Sequence, residues 1–554
     1  MKKLLVLVLL TITYNLTFAQ TDELKSWFLK DPTKDNMNGM SVERTYKELL
    51  AGKQSKPVIV AVIDSGVDYM HEDLKDVMWV NTGEVPNDGK DNDNNGYIDD
   101  IHGWSFIGGK KGNVGADQLE ITRIYSEYNK RFEGADEKLL DKKSKKEYKL
   151  YQEIKPIVLK KREEAKASIA QMEATGKMLS SSLDALEKAL AGKPATKENI
   201  EAITDNASGI QMGKKIMLKT FEDEPKADIN SVRKEVEEQI KEGSEYYKNQ
   251  FDYHYNPDFD GRKVVGDNYN DVHEKFYGNN DAKGPDSFHG THVSGIIAGN
   301  RKNNIGIQGV ADNVQIMTVR AVPDGDERDK DVANAIRYAV DNGAQVINMS
   351  FGKSYSPHKD VVDEAIKYAE KHDVLLVHAA GNDGKDTQVE DNFPSRDFLK
   401  KGLFKKKAAK NWMEIGALSY KKDGDLPASF SNYGKKSVDV FAPGVQIYST
   451  TPENNYANAQ GTSMAAPMVA GVAALLRSYF PELTAVQVKE ILESTATVHD
   501  EMVKVPGTKG EKTTKFTDLS KTGATINAYE AVKKAMTVKG KKKVSSDNDK
   551  KSKV

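Results

Sequence analysis

The sequence predicts an α/β protein built on a parallel sheet. Val58 to Ile63 is a continuous, mostly β-branched run, as expected of a strand buried on both faces. From 314 to 382, strand-like and helix-like segments alternate at a spacing typical of parallel strands covered by helices. From 113 to 257 the chain is instead rich in Lys, Glu, Leu and Ala, with apolar residues three and four apart, which predicts amphipathic helices. We therefore expect one α/β domain with a long all-helical insertion.

Each element follows from its local pattern. In the alternating part we predict strands at 314–322, 345–352 and 374–382, helices at 331–344 and 360–372, and closing helices near 463–479 and 484–494. Within the insertion, proline lacks the N–H and fills the space that a continuing helix needs. We therefore expect Pro156, Pro194 and Pro225 to divide the insertion into several helices.

The N-terminus has the layout of a secretory signal peptide. Two lysines precede an apolar run from Leu4 to Ile12, and small residues at Thr17 and Ala19 predict cleavage before Gln20. A membrane anchor is the alternative, but the run is shorter than the ~20 residues that a span needs. We expect an exported protein, extracellular, cell-surface or periplasmic, with no membrane span after cleavage.

Composition excludes several classes of function. A net charge of −2 gives no strong field for nucleic acid, and the absence of cysteine excludes disulfides, thiolate zinc sites and cysteine nucleophiles. The predicted domain plan comprises a signal peptide at 1–19, an N-terminal segment at 20–55, a catalytic domain at 56–112 and 258–536, a helical insertion at 113–257, and a disordered charged tail at 537–554.

Four polar residues fall at or near predicted strand ends and helix starts: Asp64, His289, Asn382 and Ser463. Each alone has an ordinary role: a turn Asp, a capping His, a turn Asn and a helix N-cap Ser. Together they supply a nucleophile, a base, a carboxylate that orients the base, and an oxyanion donor. A zinc pair of His289 and His292 is not expected, because no acidic ligand follows at the known spacing.

The order of these residues along the chain separates the known serine hydrolases. The order here is Asp64, His289, Ser463, whereas an α/β-hydrolase runs Ser, Asp, His and carries GxSxG. Ala465 stands where that motif needs glycine. A chymotrypsin-like enzyme runs His, Asp, Ser on antiparallel barrels. Asp, His, Ser on a parallel sheet is the subtilisin order.

Several motifs, in the same order, resemble those of the subtilisin-like serine proteases, the subtilases. They are VIDSGVD (62–68), HGTHVSGIIAG (289–299), INMSFG (347–352), AAGN (379–382) and GTSMAAP (461–467), and the similarity covers about 56–107 and 260–535. The resemblance implies a subtilisin-like fold, a triad of Asp64, His289 and Ser463, and Asn382 in the oxyanion hole. It also implies that two segments flank the pocket for the residue before the cut bond: Ser350, Phe351 and Gly352, and Ala379, Ala380 and Gly381.

Two features depart from the family pattern. Asp64 and His289 are 225 residues apart, against about 30 in subtilisin. Only about 35 residues separate the predicted signal cleavage from the first strand, where many subtilases have a longer prosegment. The route of maturation is therefore left open.

The stretch DGKDNDNNGYIDD (88–100) predicts a calcium site. Its oxygen-bearing residues have the spacing that opens an EF-hand loop, with Gly96 at the sharp turn. His102 stands where the final Glu would be, so a full EF-hand is not expected, and a solvated acidic turn is the alternative. The candidate ligands are Asp91, Asp93, Asn95, Tyr97, Asp99 and Asp100. The resemblance to subtilases, which often bind calcium, favours the same interpretation.

The sequence thus predicts a secreted serine endopeptidase that acts on proteins or peptides through an acyl-enzyme on Ser463. The alternatives are an esterase with the same triad and a non-catalytic binding protein acting through the insertion. Because the insertion joins the chain between Asp64 and His289, we expect it at the rim of the cleft, where it would gate access. A solvated appendage far from the cleft is the alternative.

Overall fold

The computed structural model describes residues 22–399 and 408–541, which form two compact units. One unit is Ile121–Phe259, and the other combines Asp22–Glu120 with the chain from Asp260 onward. The predicted signal peptide and residues 542–554 of the predicted tail lie outside the described residues. In the described part of the chain, we find no helix with the length and apolarity that a membrane crossing needs.

The larger unit contains fifteen described strands. They are β1 Val58–Asp64, β2 Gly103–Ser105, β3 Gly108–Gly109, β4 Gly112–Asn113, β5 Val314–Arg320, β6 Val346–Met349, β7 Leu375–Ala379, β8 Trp412–Leu418, β9 Val440–Pro443, β10 Ile447–Thr451, β11 Asn455–Ala459, β12 Thr497–Val498, β13 Met502–Lys504, β14 Thr513–Lys515 and β15 Ala524–Thr525. Nine of them form one sheet in the order β12-β15-β9-β8-β7-β6-β1-β5-β2. Only the β12–β15 pair in this sheet is antiparallel. The predicted parallel α/β architecture is confirmed.

Thirteen described α-helices accompany the strands. They are α1 Asp22–Lys25, α2 Val42–Thr45, α3 Glu120–Phe132, α4 Lys142–Leu190, α5 Lys197–Glu201, α6 Ser208–Asp223, α7 Ile229–Asn249, α8 Phe288–Ala298, α9 Asp329–Asp341, α10 Lys359–Lys371, α11 Thr462–Tyr479, α12 Ala485–Ser494 and α13 Ala528–Ala535. The regular elements within Ile121–Phe259 are all helical, as predicted.

The sheet is buried on both faces because successive side chains of a strand point to opposite sides. On β1, Val60 and Val62 belong to the apolar layer that includes α8 and α11. Ala61 and Ile63 belong to the opposite layer, with α9 and α10. This explains the continuous apolar run of β1: neither face of the strand meets water.

The segment before β1 is part of the core of the larger unit. Trp27 is fully buried, and its indole N–H donates to the Gln446 carbonyl at 3.2 Å. The Met40 carbonyl accepts from the amide of Ala528 at 2.9 Å, so the segment is also bonded to the start of α13. Residues 22–55 therefore supply apolar area that the domain would otherwise lack.

The prediction that Pro156 ends a helix is wrong. The helix α4 runs for 49 residues through this position. The proline and Gln152, whose carbonyl loses its partner, are both solvent-exposed, so water can satisfy that carbonyl. Pro194 and Pro225 do follow helix ends, after α4 and α6 respectively.

Candidate functional site

The candidate residues gather at the edge of the sheet where three neighbouring strands end. Asp64 is the last residue of β1, Ser350 follows β6, and Ala380 follows β7. In the sheet, β1 has β5 on one side and β6 on the other, so the chain crosses β1 as it passes from β5 to β6. Ligands of open α/β sheets bind at such a reversal of strand order, beyond the carboxyl ends of the strands.

Asp64 and His289 are in direct contact. His289 is the second residue of α8, and its Nδ1 lies 2.9 Å from both carboxylate oxygens of the buried Asp64. The Ser65 amide also donates to Asp64 Oδ1, at 2.8 Å. Glycine at 290 allows this approach, because a Cβ there would stand 2.2 Å from the Gly66 carbonyl oxygen. The contact fixes the imidazole by its Nδ1 side.

The environment of His289 favours its protonated form. Burial of the imidazole lowers its pKa, but the charge of Asp64 and the hydrogen bond to it outweigh this, and the more distant Asp286 adds to the effect. The net result is a His289 pKa above the ordinary value. The side chain keeps 37% of its surface exposed, so it can meet a molecule in the cleft.

Ser463 is the second residue of α11, and Gly461 precedes the helix, so Ser463 is not its cap. The Ser463 hydroxyl donates to the Ser350 carbonyl at 3.1 Å, and the Ser350 hydroxyl donates to the Ser463 carbonyl at 2.9 Å. In this structure the hydroxyl is therefore bonded to the end of β6 rather than to His289. Contacts between such a pair often tighten only when substrate is bound.

The Asn382 amide is oriented by the residue next to Ser463. The amide and the hydroxyl of Thr462 both donate to Asn382 Oδ1, at 2.8 and 3.0 Å, so Nδ2 is directed elsewhere. The position that a Cβ on Gly461 would occupy is 3.4 Å from Asn382 Nδ2 and 3.5 Å from the Ser463 nitrogen. Both N–H donors thus border one small space at the positive end of α11. The sequence reasoning missed Thr462, whose only signal was its place before Ser463.

Two short segments lie at the ends of β6 and β7: Ser350–Gly352, which follows β6, and Ala379–Gly381, which begins with the last residue of β7. Met349 pairs with His378 in the parallel register, so the segments run side by side. The Phe351 ring is half-buried, with its centroid 6.3 Å from that of His378, and Gly352 is exposed. These main-chain stretches lie on the same edge as Ser463.

The predicted metal loop contains a compact group of carboxylates. Oxygen atoms of Glu84, Asp93 and Asp100 all lie within 4.8 Å of one another. Glu84 and Asp100 are buried, and within residues 22–399 and 408–541 none of the three forms an ion pair. Burial, together with the charge of Asp93, raises the pKa of Asp100 to about 6. Such a concentration of uncompensated negative charge suits an oxygen-liganded cation.

Of the other predicted ligands, some lie against this carboxylate group and others face away from it. The Asn95 side-chain amide contacts Asp93 Oδ2 and Asp100 Oδ2, each at 3.2 Å, so it lies against the group. The carboxylate of Asp91 accepts backbone amides of its own loop, and the Tyr97 ring is buried among aromatic residues.

Asp99 faces a different turn. Its two oxygens accept the backbone amides of Asp88 and Gly89 at 3.2 and 3.0 Å. His102 is also turned away from the carboxylates, since its Nδ1 lies 3.0 Å from the Trp79 carbonyl. The structure therefore joins Asp93, Asp100 and Asn95 with Glu84. The sequence analysis missed Glu84, although it is an acidic residue only four positions before the loop.

The chain resembles known proteins. The sequence model of the Subtilase family matches residues 55–525. The chain is 39% identical over 242 residues to the thermophilic serine proteinase of Bacillus sp. (strain AK1), covering 43% of this chain and 53% of that protein. It is 38% identical over 213 residues to Subtilisin DY of Bacillus licheniformis, covering 38% of this chain and 70% of that protein.

A solved structure titled "Proteases from Pseudoalteromonas arctica PAMC 21717" matches with 27% identity and a TM-score of 0.37, over 46% of this chain and 78% of that chain. The chain spans about half the length of the thermophilic proteinase. The family match covers most of the sequence, including the Asp64, His289 and Ser463 motifs. The chain belongs to the subtilase family.

Proposed function

We propose that the protein is a serine endopeptidase that hydrolyses peptide bonds through an acyl-enzyme on Ser463. The observation that carries the proposal is the contact between buried Asp64 and His289 Nδ1, on the same sheet edge as the start of the Ser463 helix. Membership of the subtilase family supports it.

Each residue then has a chemical role. Once the Ser463 hydroxyl rotates from the Ser350 carbonyl to His289 Nε2, the imidazole accepts its proton as the oxygen attacks the substrate carbonyl. Asp64 keeps the other ring nitrogen protonated and stabilises the imidazolium, consistent with the raised pKa of His289. The imidazolium then donates its proton to the leaving amine. Water, activated by the same imidazole, releases the acyl group.

The negative charge that develops on the carbonyl oxygen needs donors. Asn382 Nδ2 and the Ser463 amide border the same space, and Thr462 holds the Asn382 amide in that orientation. Removing one such donor typically lowers kcat by about 10²–10³.

The segments Ser350–Gly352 and Ala379–Gly381 favour a peptide as substrate. An extended peptide can pair with main-chain groups of such segments, whereas a simple ester offers no repeating partner. The ratio of amide to ester turnover separates a protease from an esterase.

We also propose that the protein binds a structural calcium ion. The donor set fits, because Glu84, Asp93 and Asp100 are close together without a cationic partner in the described chain. The Asn95 amide lies against them through Nδ2, while its Oδ1 accepts from the Tyr97 amide. Calcium would neutralise these carboxylates and fasten the 88–100 loop. The predicted signal peptide leads us to propose export, with cleavage before Gln20.

Ser463→Ala tests the activity. We expect turnover of a chromogenic peptide to fall by about 10⁶, the loss seen for the nucleophile of subtilisin. Ser478→Ala is a matched control: it lies on the same helix, buried, with its hydroxyl bonded to the Lys56 carbonyl. This control should retain activity.

A second measurement locates the nucleophile. Phenylmethylsulfonyl fluoride should inactivate the protein and add its mass to the peptide containing Ser463. An adduct on another serine, or turnover that survives Ser463→Ala, would refute the triad.

A further inference from the structure

A buried lysine directly follows the Ser350–Gly352 segment. The main chain of this residue, Lys353, is fixed by Phe393: the amide of each donates to the carbonyl of the other, at 2.9 Å in both cases. At the other end of the segment, the Ser350 hydroxyl donates to the Ser463 carbonyl at 2.9 Å. The segment is therefore held at both of its ends.

The Lys353 side chain bonds to two other parts of the larger unit. Its ammonium lies 2.7 Å from Glu120 Oε2 and 2.9 Å from Asp329 Oδ1, and all three side chains are buried. The same ammonium donates to the Glu327 carbonyl at 2.7 Å. Removing one member of such a buried group leaves the remaining charges uncompensated, so the contacts are strongly interdependent. Lys353 thus joins its segment to the start of α9 and to Glu120.

Glu120 is the last residue of the larger unit before the helical insertion. Its amide donates to Asp326 Oδ2 at 2.7 Å, while its carboxylate is bonded to Lys353. Both the main chain and the side chain of Glu120 are therefore fixed within the larger unit. The point at which the chain leaves this unit is bonded to the residue beside the Ser350–Gly352 segment.

The Lys353 end of the segment can pair with a peptide. Within residues 22–399 and 408–541, the main-chain groups of Phe351 and Gly352 form no hydrogen bond, and Gly352 is exposed. Ser350 lies against Ser463, and Gly352 is two residues further along, roughly 6–7 Å in an extended chain. In the proposed complex, Gly352 would therefore pair with peptide residues upstream of the one at the cut.

We propose that Lys353 is a positioning residue, whose ammonium, held by Glu120 and Asp329, fixes the Gly352 end of the segment for pairing with the upstream residues of a peptide. This inference rests on the proposed endopeptidase activity. Lys353 acts through the main chain and is buried, so its loss should weaken the binding of long peptides without changing the chemistry at Ser463. A substrate too short to reach Gly352 should not respond.

The test variant must remove the ammonium and still fold. Lys353→Met alone would leave two buried carboxylates, Glu120 and Asp329, without their shared cation, which destabilises the fold. Combining Lys353→Met with Glu120→Gln removes one charge of each sign. Asp329 then keeps two donors, the Ser356 hydroxyl at 2.9 Å and the His358 amide at 2.8 Å. This double variant therefore tests the ammonium in a folded protein.

The assay compares two chromogenic amides with the same residue before the cut. The short amide has only an acetyl group upstream of that residue, and the long amide has three further residues. We measure kcat and KM for both, with active enzyme counted by titration of Ser463. In the double variant, KM for the long amide should rise about tenfold, the value of roughly one hydrogen bond, while its kcat changes by less than about twofold. The short amide should keep its kcat/KM within about twofold.

Lys489→Met is the matched control, because Lys489 is also buried and ion-paired. It contacts Asp439 at 3.3 Å and donates to the carbonyl of Trp412, the first residue of β8, at the opposite edge of the sheet. Asp439 keeps Arg396 as a partner at 3.0 Å. The two amides should respond equally to this variant. A rise of KM confined to the long amide would show that any buried lysine has this effect, and would overturn the proposal.

The two proposals fail in different ways. An unchanged KM for the long amide in the double variant, or an equal loss for both amides, refutes the positioning role of Lys353. Hydrolysis that depends on Ser463 then leaves the endopeptidase intact. No Ser463-dependent hydrolysis of either amide by the unaltered protein refutes both proposals.

Discussion

The contact between Asp64 and His289 predicts how the activity depends on pH. If His289 is the general base, it must be neutral to act, so activity is lost as the pH falls through its pKa. The carboxylate holds this pKa above the ordinary value of 6.5, against the effect of burial. We therefore expect the acid limb of kcat/KM to lie above pH 6.5. Asp64→Asn removes the negative charge but leaves the imidazole buried, so the acid limb of kcat/KM should move below pH 6.5.

The strength of this interaction follows from the contact. Two unit charges about 4 Å apart interact by about 4 kcal/mol at an effective dielectric constant of about 20. The His289 side chain is 37% exposed, and solvent screening reduces the interaction. Removing the charge should therefore move the acid limb to lower pH. Because the asparagine can also select the wrong tautomer, kcat should fall by about 10⁴.

The assay is kcat/KM for a chromogenic peptide as a function of pH, with the His289 ring titrated by NMR in a Ser463→Ala background. Asp286→Asn is the control, because this carboxylate raises the same pKa without bonding to the ring. Its shift should be in the same direction but smaller. An acid limb that stays in place or rises in Asp64→Asn would refute the reasoning.

The same pair affects stability with a definite sign. Since the folded-state pKa of His289 is above its unfolded value of 6.5, the pair stabilises the fold below pH 6.5. That contribution is lost as the pH rises through the raised pKa. Urea unfolding of Ser463→Ala at several pH values measures this dependence.

Three further perturbations test the rest of the structure. Calcium at about 100 times its Kd should add about 2.7 kcal/mol to the free energy of unfolding. Glu84→Gln should abolish this gain, whereas the control Asp88→Asn, at an exposed position, should keep it. Thermal melting in the presence of calcium or of EDTA measures the difference. Trp27→Ala should cost about 3–5 kcal/mol of stability in the exported protein; a mature N-terminus beyond Trp27, found by sequencing, would contradict this. Replacing Ile121–Phe259 with a flexible Gly/Ser linker should retain peptide cleavage, since the triad residues all belong to the other unit. If the insertion gates access, the ratio of casein to peptide kcat/KM rises; an unchanged ratio rejects gating.

The fold could be predicted where burial imposes a simple pattern. β1 reads as a strand because both its faces are covered, and the helices α9 and α10 show one apolar face each. The sequence pattern does not predict β8, because a glutamate interrupts its apolar run. The structure buries Glu414, which accepts from the Trp412 indole at 2.8 Å. Glu414 also lies 2.9 Å from His378 Nδ1 on the neighbouring strand β7, and this partner does not follow from the sequence of β8.

Pro156 is a second case in which the local sequence does not predict the structure. The proline at 156 predicts that one backbone hydrogen bond of the helix is lost, but the local pattern does not predict whether this loss ends the helix. That depends on which face of α4 the residue occupies, and Pro156 lies on the exposed face. The face is set by residues such as Tyr151 and Ile154, which are buried. The helix therefore continues because its apolar packing is on the other side.

The site shows why residues proposed as nucleophile, base and orienting carboxylate are easier to predict than the residues that support them. Asp64, His289 and Ser463 carry chemistry that few other residue types supply, so their identity and order in the chain are informative. Thr462 and Glu84 are ordinary polar residues whose proposed roles come from what they face. Thr462 orients Asn382 only because α11 begins beside the end of β7. Such roles arise from contacts between segments far apart in the chain, and these contacts exist only once the sheet has been assembled.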